Sequence, residues 1–200
     1  MCDTFHIPYS DEVLSLYQRI NLSYWKAYER GEITSAALAI ARFHDFLAAV
    51  GKDGDPALMC QLYQTSLGED CTPIHDALRV CSILHERGYK FSIITNGRST
   101  TQHSRLSHSE LTPMISDLFI SEELGCQKPK KRIFFDAVFS KLQISVSKAL
   151  VIGDSLTSDI IGGIQYGIDT CWFNPNGSDN TMSQAPTYEI KQLSELLSIL

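Results

Sequence analysis

Ala149-Leu150-Val151-Ile152-Gly153-Asp154-Ser155-Leu156-Thr157-Ser158-Asp159 is the stretch on which the reading of this 200-residue chain turns. Four consecutive apolar residues predict a short strand, uniformly apolar as strands buried on both faces of a parallel sheet are. Gly153 lets the backbone pass closely, and Asp154 then presents a carboxylate at the strand's carboxyl end, where open α/β sheets collect ligands. Asp159 returns a second carboxylate near the start of a helix, a place that tolerates negative charge. A hard dication such as Mg2+ takes oxygen ligands, few of them from protein when water and phosphate are available. Asp154 is therefore the candidate metal ligand and Asp159 its candidate support, with helix capping an additional role open to Asp159.

Upstream, Phe91-Ser92-Ile93-Ile94 predicts another apolar strand, which runs into Thr95-Asn96-Gly97. The Thr95 hydroxyl and the successive N–H groups of Asn96 and Gly97 suit phosphate oxygens, although Asn-Gly is also a plain turn. In Gly125-Cys126-Gln127-Lys128-Pro129 the proline biases Lys128 towards an extended backbone, where its ammonium can neutralise a carboxylate, metal and phosphate cluster. Leu118 to Ile120 and Thr170 to Phe173 predict two more strands. Helical patterns fill 74–87, 131–142 and 159–166, the first stopped by Gly88. Strands alternating with helices argue a parallel sheet covered on both faces.

The first 72 residues read differently. Val13, Leu16, Tyr17, Ile20 and Tyr24 recur at helical spacing, Gly31 breaks the run, and Thr34 can cap a second helix. A third helix spans about 58–67. The expected organisation is an all-helical part over residues 1–72 and an α/β part over 73–200.

Composition narrows the function classes. The chain is 44% hydrophobic and 20% charged, which is globular, and its longest apolar runs fall short of a bilayer span. Met1-Cys2-Asp3-Thr4-Phe5-His6 has neither a basic segment nor an apolar run after it, so a cytoplasmic location is the default expectation. The six cysteines form no CxxC pair and read as reduced thiols. A net charge of -6 without a basic cluster disfavours a nucleic-acid polymer, whereas a small phosphorylated metabolite needs one local positive site. His103 and His108 are five apart, which is not the spacing of a helical zinc pair.

Taken in order, strand-Thr-Asn-Gly, Gly-x-x-Lys-Pro and strand-Gly-Asp-Ser-x-x-x-Asp resemble the haloacid dehalogenase-like (HAD) superfamily. Asn21 to Thr34, Ile120-Ser121-Glu122-Glu123 and Gly162-Gly163 through Asn174 extend the resemblance to the YjjG/YfnB-type 5'-nucleotidases, which act on pyrimidine and related nucleoside monophosphates. The resemblance implies a Rossmann-like α/β core with an N-terminal helical cap and a Mg2+-dependent phosphomonoesterase. Thr95, Asn96 and Gly97 would bind phosphate, Lys128 and Thr95 would serve catalysis, and Asp154 with Asp159 would hold Mg2+. In the cap, Arg42 and Trp25 are the weaker candidates for contact with a nucleoside, the plainer readings being a surface arginine and an aromatic in cap packing. Monomer and homodimer both fit.

One departure counts against turnover. The family's nucleophile and general acid stand in an Asp-x-Asp segment at the end of a central first strand, ahead of the cap. Here the helical pattern begins almost at the N-terminus, and Asp3-Thr4 follows no apolar strand. The expectation is a truncated scaffold without its central first strand and without activity as it stands. Two other readings stay open, a non-catalytic phosphate- or metal-binding remnant and a haloacid dehalogenase-type hydrolase. A receiver-like signalling domain fits least, because it lacks a long helical part at its start.

Overall fold

The computed structural model describes residues 3–126 and 132–200; Lys128 lies outside the described residues. The chain forms two compact units, Met1–Asp70 and Cys71–Leu200.

The first unit holds α1 (Asp11–Arg30), α2 (Ser35–Ala49) and α3 (Pro56–Glu69) after a short turn of 3-10 helix at Asp3–Phe5. Each of the three helices starts on a side chain that takes an otherwise orphaned amide. Ser10 accepts from the Val13 N–H at 3.3 Å, Thr34 from Ala37 at 3.1 Å and Asp55 from Ala57 at 2.8 Å. Gly31 closes α1 at φ +70°, the left-handed conformation that costs a residue without a Cβ least. Phe43, Phe46 and Met59 form the fully buried centre. Tyr17 stacks on Phe43 at 5.8 Å and meets Phe46 edge-on at 5.4 Å, so it belongs to this packing.

The second unit runs α4 (Ala77–Glu86), β1 (Phe91–Thr95), α5 (Ser99–Ser107), β2 (Ile115–Ile120), α6 (Ser121–Leu124) and α7 (Arg132–Leu142). It continues with β3 (Leu150–Gly153), α8 (Ile161–Tyr166), β4 (Asp169–Phe173), β5 (Tyr188–Ile190) and α9 (Leu196–Ile199). All strand pairs are parallel, which gives the expected Rossmann-like α/β core with a helical region before its first strand. Tyr188–Ile190 adds a strand that three residues of mixed polarity did not announce.

Because side chains alternate along a strand, neighbouring residues serve opposite layers. Ile94 and Val151 pack with Phe134, Phe135 and Val138 of α7, while Phe91 and Leu150 pack with Val80 and Leu84 of α4 and Leu196 of α9. Both layers thus reach across from β1 to β3. The strands themselves do not join: β1 pairs with β2 in one sheet, and β3, β4 and β5 form another. A cleft of about 580 Å3 runs between β1 and β3.

Cys60, Cys71, Cys81, Cys126 and Cys171 are all free thiols. Among the described residues no helix is long and apolar enough to cross a membrane.

One tight approach in the second unit is between α8 and β4. A Cβ on Gly163 would lie 2.5 Å from the Thr170 Cγ2 and 3.5 Å from Val151. Thr170 is completely buried and has nowhere to turn. Alanine in a helix gains about 0.5–1 kcal/mol over glycine, whereas overpacking a core costs about 1–3 kcal/mol. Gly163→Ala is therefore expected to lower stability, read as a lower urea midpoint with an unchanged slope.

Candidate active site

The carboxyl end of β3 is shaped by a short π-helix, Leu156–Ile160. The amides of Asp159 and Ile160 both donate to the Ser155 carbonyl, at 2.9 and 3.1 Å, and the wider turn carries Asp159 back over the strand end. Asp159 Oδ2 accepts from the Ser155 N–H at 3.4 Å, and its side chain lies where a Cβ on residue 153 would stand. Gly153 is required here by close approach. The Asp154 backbone is pinned from the other side, its carbonyl accepting from the indole Nε1 of buried Trp172 at 3.1 Å. The Asp154 side chain is exposed. One carboxylate thus faces outward while the second holds the loop that presents it.

The end of β1 meets the same loop. Thr95 Oγ1 accepts from the Gly97 N–H at 3.0 Å, turning the chain sharply, and Asn96 Nδ2 donates to Ser158 Oγ at 3.3 Å. Ser158 is buried and its amide donates to Ser155 Oγ at 3.2 Å, so Asn96 docks on an ordered turn. Thr95, Asn96 and Gly97 are thereby brought beside the Asp154 loop although their strands belong to different sheets. Lys128, the expected cation of this group, lies outside the described residues.

Two acids after β2 support the arrangement, and they were not among the expected site residues. Glu122 accepts the Ser99 N–H at 2.6 Å and so caps α5, whose own N-cap residue, Arg98, makes no side-chain cap bond. Glu123 accepts from the Ser99 hydroxyl at 2.5 Å and bonds His103 Nε2 at 2.7 Å. Their position directly after a strand end, in Ile120-Ser121-Glu122-Glu123, was the available signal.

The candidate nucleoside contacts lie in the helical unit. Arg42 is not a surface residue: it is 2% exposed, donates to Asn21 Oδ1 at 2.6 Å and lies 4.7 Å over the Phe43 ring and 5.1 Å over Tyr63. The aromatic clamp offsets the burial of a guanidinium that has no carboxylate bridge. Trp25 is half-buried and T-shaped against Tyr28 at 5.9 Å. The sequence holds one Asp-x-Asp, Asp53-Gly54-Asp55. It follows a helix rather than a strand, and Asp55 is used as the cap of α3. Among the described residues no three Asp, Glu, His or Cys side chains converge as a metal cluster.

Comparison with known proteins fits this geometry. The family model of haloacid dehalogenase-like hydrolases matches residues 6–167. The HAD-hydrolase YfnB of Bacillus subtilis is 41% identical over 196 residues, covering 98% of this chain and 83% of YfnB. The pyrimidine 5'-nucleotidase PynA of Streptococcus pneumoniae is 36% identical, covering 92% of this chain and 78% of PynA. The pyrimidine 5'-nucleotidase YjjG of Escherichia coli is 33% identical, covering 98% of this chain and 86% of YjjG. The crystal structure of YfnB bound to magnesium superposes with a TM-score of 0.91 at 39% identity, covering 99% of this chain and 86% of that one.

Two outcomes follow from the local contacts. A Cβ at Gly153 would come within 2.5 Å of the Asp159 Cβ and 2.6 Å of its Cγ. Gly153→Ala should cost about 1–3 kcal/mol, and Asp159→Gly should recover most of that loss in a double-mutant cycle. Additive losses in that cycle would contradict the contact.

The Glu123 carboxyl is held below its ordinary pKa, first by the hydrogen bond from Ser99 and then by that from His103. A depressed folded-state pKa means that its support is complete above the ordinary carboxylate value and is lost as pH falls through the depressed one. Amide exchange at 97–99, corrected for intrinsic rates, is expected to accelerate only once pH has fallen below the ordinary carboxylate value, and Glu123→Gln should flatten that dependence.

Proposed function

The chain belongs to the haloacid dehalogenase-like hydrolases, and from that membership we propose that its second unit binds the phosphate of a pyrimidine or related nucleoside monophosphate in the presence of Mg2+. The observation that carries the reading is the docking of Asn96 on Ser158, which sets the Thr95 turn beside the Asp154 loop. Two relatives that cover most of this chain are named pyrimidine 5'-nucleotidases, and this favours a nucleotide over other phosphate esters.

In this reading Thr95, Asn96 and Gly97 hold phosphate oxygens and Lys128 neutralises them, a point charge opposite a dianion. Asp154, with Asp159 steadying its loop, is the protein's contribution to the metal. A single outward carboxylate fits Mg2+, which keeps most of its water and takes its remaining oxygens from phosphate. Bound there, the ion would neutralise charge on the phosphoryl group. Arg42 acts through the helical unit's packing, and Trp25 is the aromatic with surface to offer a base.

The reading also assigns the 200 residues a division of labour. They position phosphate, but the aspartate that follows an apolar strand, Asp154, is taken by the metal in this reading, and no Asp-x-Asp among them ends a strand as the family's nucleophile does. Without an attacking carboxylate the covalent route is closed, and loss of general-acid help adds about 10²-fold or more. The expected activity of this chain alone is binding without turnover.

The test combines thermal shift and phosphate release with excess Mg2+, using uridine and cytidine monophosphates, ribose 5-phosphate and inorganic phosphate. Nucleotides should raise the melting temperature more than the other two, and Thr95→Val or Asp154→Asn should remove the shift. An equal shift for all four ligands would sink the nucleotide assignment. Phosphate release that Asp154→Asn abolishes would sink the reading of an inert scaffold.

A further inference from the structure

A guanidinium is costly to bury, and the helical unit gives that of Arg42 little in return. Its polar partner is one neutral amide, Asn21 Oδ1 at 2.6 Å, its other contacts are the ring faces of Phe43 and Tyr63, and the buried N–H at Nε has no partner. Packing alone does not call for such a residue, because an apolar side chain of similar volume in place of a buried charge is often neutral or stabilising. What the guanidinium supplies is direction. Arginine donates and cannot accept, so the oxygen of Asn21 must face it and the flip of that amide is decided.

The consequence lies on α1. With its oxygen engaged, Asn21 keeps the two N–H groups of Nδ2, which have no partner among the described residues, on a side chain that is only half-buried. Trp25 follows four residues later, on the same strip of the helix, and its indole is held edge-on by Tyr28 at 5.9 Å. Tyr24, the polar neighbour between them, has its hydroxyl committed to Asp45 Oδ2 at 2.6 Å. The strip thus offers a half-buried aromatic face and, about 5–6 Å along the helix, an amide that can only donate.

A flat ring with an oxygen on its edge satisfies both, the ring stacking on the indole and the oxygen accepting from the amide. We propose that Asn21 and Trp25 form a ring-binding patch of the helical unit that takes the oxo edge of a pyrimidine base. Arg42 is its positioning residue, which makes Asn21 a donor without touching the base. The inference rests on the nucleotide reading for the choice of ring. Its probe carries no phosphate, so the two stand or fall by separate measurements.

The probe is uridine, titrated into the full 200-residue chain labelled with nitrogen-15. The readout is the side-chain amide resonance of Asn21, assigned by its loss in Asn21→Asp, together with the affinity from backbone shifts along α1. Uridine should move that resonance in a saturable way. Adenosine, which stacks over a larger area but carries no oxo oxygen, should bind more weakly, and Trp25→Leu should weaken both nucleosides.

Asn21→Asp replaces the amide by a carboxylate, which pairs with Arg42 and has no N–H to give. It should hold or raise the melting temperature while weakening uridine about fivefold to tenfold, the loss of one hydrogen bond. Arg42→Met keeps the packing volume and frees the amide to flip, and it should lower the affinity for uridine relative to adenosine while the chain stays folded. A purely structural Arg42 would leave that ratio unmoved. An Asn21 resonance that does not respond to uridine would overturn the proposal, as would adenosine binding as tightly as uridine or full uridine affinity in Asn21→Asp.

Discussion

The folding-back of Asp159 over the bare Cα of Gly153 is the constraint from which the candidate site takes its shape. A five-residue hydrogen-bonded turn is needed to bring that side chain round, and this is why the helix after β3 opens as a π-helix at Leu156–Ile160. The same turn buries Ser158, and Ser158 is what Asn96 reaches. A contact that exists because one residue lacks a side chain thus determines where the β1 loop rests. The outward position of Asp154 depends on it as well, because the two carboxylates divide the tasks of presenting and bracing.

Support for the β1 loop comes from a second direction. Glu122 and Glu123 stand at the end of β2, and β2 is the ladder partner of β1, so strand pairing and loop capping reinforce each other. Neutral hydroxyl and amide donors meet ionised acceptors there, which strengthens each bond and ties it to the charge state of the acids. The loop is therefore held by packing on its β3 side and by charge on its β2 side.

Much of this was legible in the sequence for identifiable reasons. The runs ending at Ile94, Ile120, Ile152 and Phe173 are short and mostly apolar, so their strands were plain, and the polar residues after Ile94 and Ile152 marked the candidate site. The caps Thr34 and Gly31 were equally plain, since side-chain and backbone chemistry at a helix end is local. What escaped depends on distance. Tyr188-Glu189-Ile190 becomes a strand through its ladder with β4, and a π-turn differs from an α-turn by one hydrogen bond that composition does not encode. Arg42 looked like a surface cation because its shelter is made of Asn21 and Tyr63, each 21 residues away. Glu122 and Glu123 carried no role in the sequence beyond the family resemblance, because Ser99, their donor, stands 23 and 24 residues away.

The two tryptophans fall one to each unit, Trp25 among the helices and Trp172 on β4. Trp172 is nearly inaccessible, and its indole hydrogen is committed to the carbonyl of Asp154. Trp25 is half-buried beside Tyr28. Their emission colours therefore differ by environment, and each indole serves as a built-in optical label for its own unit. Light from Trp172 originates one hydrogen bond from the carboxylate-bearing loop, so the molecule reports on its own candidate site without an added dye.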